Sequence, residues 1–109
     1  MTTIKLGGKE RELKFSFASL RALENYYKKP IGKIFTENVA SESLETLVVM
    51  LWACLYKSDK KLTAEKVEEL IDESLENEEL TFEDLKNALQ EAFNNSVLTK
   101  ARKEADEKN

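Results

Sequence analysis

Ten consecutive residues, Leu47-Val48-Val49-Met50-Leu51-Trp52-Ala53-Cys54-Leu55-Tyr56, carry no charge. Ser41-Glu42-Ser43 supplies hydroxyl caps and early negative charge before them, and the polar turn Lys57-Ser58-Asp59-Lys60-Lys61 follows. This pattern predicts a helix from about Glu42 to Lys57. The apolar run is too short to cross a bilayer. A helix that is apolar around most of its circumference must be covered on all sides, so the rest of the chain has to wrap it or leave one side for a partner. With 109 residues, one domain is the expectation.

The flanking segments read as the wrapping. Ile4 and Leu6, then Gly7-Gly8, then Leu13 and Phe15 alternate as a β-hairpin, with these four apolar residues on one face. A two-stranded ribbon is marginal alone and needs helices beneath it. Ser16 caps a helix over Phe17 to Lys28, with Phe17, Leu20, Leu23 and Tyr27 at helical spacing before Pro30 stops it. Ile34-Phe35, between Ile31 and Val39, predicts a single helical turn pinned to the core. Thr63 caps a helix whose apolar stripe is Val67, Leu70, Ile71 and Leu75. Thr81 with Asp84 opens another, with stripe Phe82, Leu85, Leu89, Ala92 and Phe93. The expected fold is mainly α: an N-terminal β-hairpin packed on a compact bundle of about four helices plus a short helical turn. Residues 1–96 form the single domain, and residues 97–109, alternating Lys/Arg with Glu/Asp, form a charged tail expected to be disordered.

Composition removes several functions. No His is present, which takes away the commonest neutral-pH general base and metal ligand, and the serines lack a partner to activate them. The one Cys, Cys54, forms no internal disulfide and no zinc cluster, and fits a reducing cytoplasm. Gly7-Gly8 belongs to a hairpin, so no phosphate-binding loop is encoded. Asp72 to Glu83 begins and ends as a calcium loop does, but Asn77 stands where the sharp turn needs Gly and Leu80 where an oxygen ligand is needed. The expectation is no enzyme, no metal and no cofactor.

Charge is unevenly placed. Residues 1–33 carry eight basic and three acidic side chains, whereas residues 65–84 carry one basic and ten acidic. Such an acidic block repels a phosphate backbone, so nucleic acid is not an expected partner, and no membrane segment is read. Tyr26, Tyr27, Trp52 and Tyr56 are the strongest recognition candidates, because amphipathic rings dominate contact energetics; the same spacing also suits core aromatics with a hydroxyl at the rim.

The order of an N-terminal hairpin, "FSFASLRALENYYKKPIGKIF", "LETLVVMLWACLYKSDKKLTAEKVEELIDE" and "LTFEDLKNALQEAF" resembles the tail assembly chaperones of long-tailed phages and prophages of Gram-positive bacteria, over about Ile4 to Phe93. The resemblance implies a protein of the host cytoplasm, outside the mature virion. It would bind the long helical tape measure protein, keep it soluble and assist tail tube assembly around it. It also implies that a frameshifted longer product recruits tail tube subunits. An apolar groove on the middle helix and on the helix after the hairpin would suit such a client, with Val48, Leu51 and Leu55 joining Tyr26, Tyr27, Trp52 and Tyr56 as candidate partner-binding residues. Self-association is a second way to cover the same surface. The other reading is a small acidic helical adaptor or regulator with no chaperone role.

Overall fold

The computed structural model of the protein describes residues 2–96. The tail expected at residues 97–109 lies outside them. Strands β1 (Thr2–Leu6) and β2 (Lys9–Leu13) pair antiparallel, with Ile4 opposite Arg11 and Leu6 opposite Lys9. Both turn residues, Gly7 and Gly8, have positive φ (64° and 74°), as a two-residue hairpin turn matching the strand twist requires. Gly7 is doubly constrained: a Cβ there would meet Leu70 Cδ2 at 2.5 Å. Its N–H donates to Ser74 Oγ (2.8 Å) and that of Gly8 to Glu79 Oε2 (3.0 Å), fastening the turn to the following helices. Ile4, Leu6, Leu13 and Phe15 all face the core, as alternation demands.

Five helical elements follow: α1 (Phe17–Tyr27), the single turn α2 (Ile31–Lys33) continuing into a π-helical segment (Ile34–Val39), α3 (Leu44–Leu55), α4 (Ala64–Glu76) and α5 (Phe82–Asn94). Each long helix starts at a hydroxyl: Ser16, Ser43, Thr63 and Thr81 accept from the backbone N–H three residues on, which satisfies a donor the helix itself cannot. α1 ends at Lys28 in the left-handed conformation, and Glu24 Oε2 then accepts from Ile31 N–H (2.9 Å), linking the end of α1 to the start of α2.

α3 is the axis of the molecule, with α1, α4, α5, β2 and the π-helical segment against it. Val49, Met50, Leu51, Ala53, Cys54 and Leu55 are buried. Leu47, Val48 and Trp52 are half-buried, and Leu44 is 69% exposed. The helix is therefore wrapped incompletely. Two local expectations change. The turn expected around Ile34-Phe35 is a continuous helical stretch with a π-wound end, and Glu42, at φ 53°, cannot begin α3, which starts two residues later. Phe17 is not part of the inner stripe of α1 but 70% exposed, because the buried face is centred on Ser19, Leu20, Ala22 and Leu23, roughly 140° around the helix from it.

Candidate partner-binding surfaces

An apolar trough with a volume of about 330 Å³ lies between the first half of α3, the π-helical segment and the length of α5. That volume is at the lower end for ligand sites. Its lining is mostly apolar, with Leu47 and Met50 from α3, Phe35 and Val39 from the π-helical segment, and Leu89 and Phe93 from α5; Glu42, Thr46, Lys86 and Gln90 add polar groups. Phe93 is held by rings on two sides, edge-on to Phe15 (centroids 6.3 Å) and tilted against Phe35 (5.1 Å). Leu44 and Phe82 border the groove and remain 69% and 45% exposed. Both sit at the first position of their helices, after Ser43 and Thr81, so the caps that start the helices also place these two side chains. Lys86 Nζ lies 5.9 Å from the centroid of the Phe82 ring, a cation–π distance.

The groove forms because α5 presents two apolar faces. Leu85, Ala88 and Ala92 go into the core, while Phe82, Leu89 and Phe93, turned by roughly 90° about the helix, line the trough. From Phe82 to Phe93 the helix rises about 17 Å, enough to flank three turns of another helix.

The ring residues singled out in the sequence do come together. Tyr26 lies between Tyr27 (centroids 5.2 Å) and Trp52 (5.7 Å), and Trp52 contacts Tyr56 (5.8 Å), making a continuous ladder across α1 and α3. Tyr26 is exposed; Tyr27, Val48, Trp52 and Tyr56 are half-buried. Trp52 Nε1–H donates to the Leu62 carbonyl (3.0 Å), which fixes the indole and draws the α3–α4 turn alongside it. Burial raises the Tyr27 pKa above its ordinary value, with the Thr46 side chain pulling partly back.

Leu51 and Leu55 require correction. They are 0% and 1% exposed, inside the core cluster with Leu23, Val67 and Leu85, and so cannot touch a partner in this conformation. The groove correspondingly lies not between α3 and α1 but between α3 and α5, the α1 side being occupied by the aromatic ladder. Sequence reasoning missed Leu44, Leu47, Phe82 and Leu89 as a group. The available signal was Phe82 and Phe93 in a helix whose other apolar residues already sufficed for one core face.

Among the described residues no group of three His, Cys, Asp or Glu is placed to hold a metal ion. The acidic stretch from Asp72 to Glu83 is divided between the end of α4 and the start of α5. A polar cleft of about 420 Å³ between β1 and α5 is lined by Thr2, Lys5, Asp84 and Glu91, with Thr2 Oγ1 donating to Glu91 Oε1 (3.0 Å). No helix of the described residues is long and apolar enough to cross a membrane.

Cys54 is buried and free, and desolvation pushes its thiol well above the usual range. Unfolding returns it to about 8.5, so above that pH the unfolded chain binds fewer protons than the folded one and stability falls as pH rises, by up to about 1.4 kcal/mol per pH unit. Urea unfolding followed from about pH 8 to about pH 10 should show this loss in the wild type and a shallower one in Cys54→Ala.

The family model of phage tail assembly chaperone proteins (TAC) matches residues 3–105, a span containing the hairpin except Thr2, every helix of the described residues, the groove and the ladder. No match was found among curated proteins or among solved structures. A match that spans residues 3–105 of the 109 identifies the chain as a member of the phage tail assembly chaperone family.

Proposed function

We propose that this chaperone binds the tape measure protein of its phage, holding an apolar helical stripe of that client in the α3–α5 groove and keeping it soluble until tail tube subunits assemble around it. The observation that carries this reading is the groove itself, with Leu44 and Phe82 left exposed beside it. An amphipathic helix laid along α5 would bury both and cover its own stripe in the same contact. α4 contributes the solvating exterior: Glu65, Glu68, Glu69, Asp72, Glu73 and Glu76 point away from its buried stripe of Val67, Leu70 and Ile71. A net negative charge of this kind opposes self-association of the complex. The protein would act in the cytoplasm of the bacterial host and stay out of the finished virion, with the tail tube protein engaged through a longer frameshifted product.

Co-expression with the tape measure protein tests the reading. The client should move from the insoluble to the soluble fraction and co-purify with the chaperone. Charge reversal of Glu65, Glu68, Glu69 and Glu73 should lower the solubility of the complex while leaving affinity within about threefold, because these charges sit outside the groove. Loss of binding on charge reversal, without any solubilisation by the wild type, would instead favour an adaptor that docks through its acidic face.

A further inference from the structure

The aromatic ladder lies on the other side of α3 from the groove. Val48, Trp52 and Tyr56 recur every four residues on one face, and Leu47 and Met50 point roughly 170° away from them. A ligand on one face therefore leaves the other free.

Three features of the ladder together define a ligand. Its rings are partly open to solvent and continuous over Tyr26, Trp52 and Tyr56. The hydroxyls of Tyr26 and Tyr56 have no hydrogen-bond partner among the described residues, so two donors stand ready beside an apolar surface. The turn that Trp52 draws in through the Leu62 carbonyl carries exposed Lys57, Lys60 and Lys61, none in an ion pair among the described residues. Two acidic groups border the surface: Asp59 in the same turn, with Oδ1 taken by Lys61 N–H (3.2 Å), and Glu45 at the Tyr27 end. The Tyr56 end is thus cationic and rich in donors.

We infer that the Tyr26–Trp52–Tyr56 face is a second docking surface, specific for an amphipathic helical segment with an acidic flank. Apolar side chains of that segment lie on the rings, and its carboxylates meet Lys57, Lys60 and Lys61 and accept from the two tyrosine hydroxyls. This surface does not depend on what the groove holds.

Trp52 is the sole tryptophan, so its fluorescence reports occupancy directly. The full chain is titrated with a blocked helical peptide of Leu, Ala and Glu, and with the same peptide carrying Lys in place of Glu. The Glu peptide should shift Trp52 emission saturably, with affinity falling about tenfold at high salt and about tenfold in Lys60→Glu/Lys61→Glu, two exposed turn positions outside the core. The Lys peptide should not saturate. Phe82→Glu, on α5 and so remote from the ladder face of α3, should leave the titration unchanged, so failure here is separable from failure of the groove reading. Equal response to both peptides, no emission change, or indifference to the lysine substitutions would overturn the assignment. Emission that depends on protein concentration without peptide would overturn it too, by giving the face to a second copy of the chain.

Discussion

Leu44→Glu/Phe82→Glu should reduce affinity for the tape measure client by two to three orders of magnitude and leave the fold as stable as the wild type. Each residue is the first of its helix, after Ser43 and Thr81 respectively, and each is largely outside the core. A carboxylate at that position interacts favourably with the helix dipole, by about 0.3–1 kcal/mol, which offsets any small loss of intramolecular contact. Binding has no such compensation. Each apolar side chain covered by the client contributes about 1.5–3 kcal/mol, and a charge in its place must also be desolvated. Both side chains are already partly covered in the free protein, at 69% and 45% exposure, so the two losses together come to about 3–4 kcal/mol, which at about 1.4 kcal/mol per tenfold gives the stated range. Paired thermal unfolding and pull-down from co-expressing cells measure both quantities. Equal loss of stability and binding would mean that these side chains support the fold rather than the client.

The opposite pattern is expected at Leu51. Its side chain is fully buried in the cluster with Leu23, Leu55, Val67 and Leu85, and truncation to alanine leaves a cavity that the neighbours, held from several elements, fill only in part. Leu51→Ala should cost about 3 kcal/mol, within the range for buried leucines, and lower the melting temperature by about 10–20 °C. Val48→Ala, one turn earlier and half-buried, should cost under about 1 kcal/mol. Below its lowered melting temperature, Leu51→Ala should still hold the client, since the groove does not include this residue. Calorimetry on the two variants checks the contrast. Similar costs at both positions would contradict the division of α3 into a sealed face and open faces.

That division shows where the sequence was legible and where it was not. The hairpin could be read because Gly7-Gly8 between alternating apolar residues has few other solutions, and the starts of α1, α4 and α5 because Ser16, Thr63 and Thr81 act within a few residues of chain; Ser41 and Ser43 both offer a hydroxyl, and the expected start of α3 falls two residues early. Those are local effects. Which side of α3 each neighbour would cover is not local. A helix apolar in almost every direction has little directional pattern, so Leu51 and Leu55 look the same in sequence as Leu47 and Trp52, although the first pair is sealed and the second is not. The π winding of Ile34–Val39 carried no signal either, because an i→i+5 ladder uses ordinary helix formers and is selected by the packing around it. Its effect is nonetheless specific: at about 80° per residue it keeps Ile34, in the core, within roughly 40° of Val39, in the groove wall, where α-winding would separate them by about 140°.

Methyl NMR on the chaperone with and without its tape measure client gives the most direct view of where the client sits. Capture in the groove predicts large shifts at Leu44, Leu47, Met50 and Leu89, with Leu51 and Leu55 little changed. Shifts confined to Val67, Leu70 and Leu75 of the acidic helix, with the groove methyls unmoved, would contradict it.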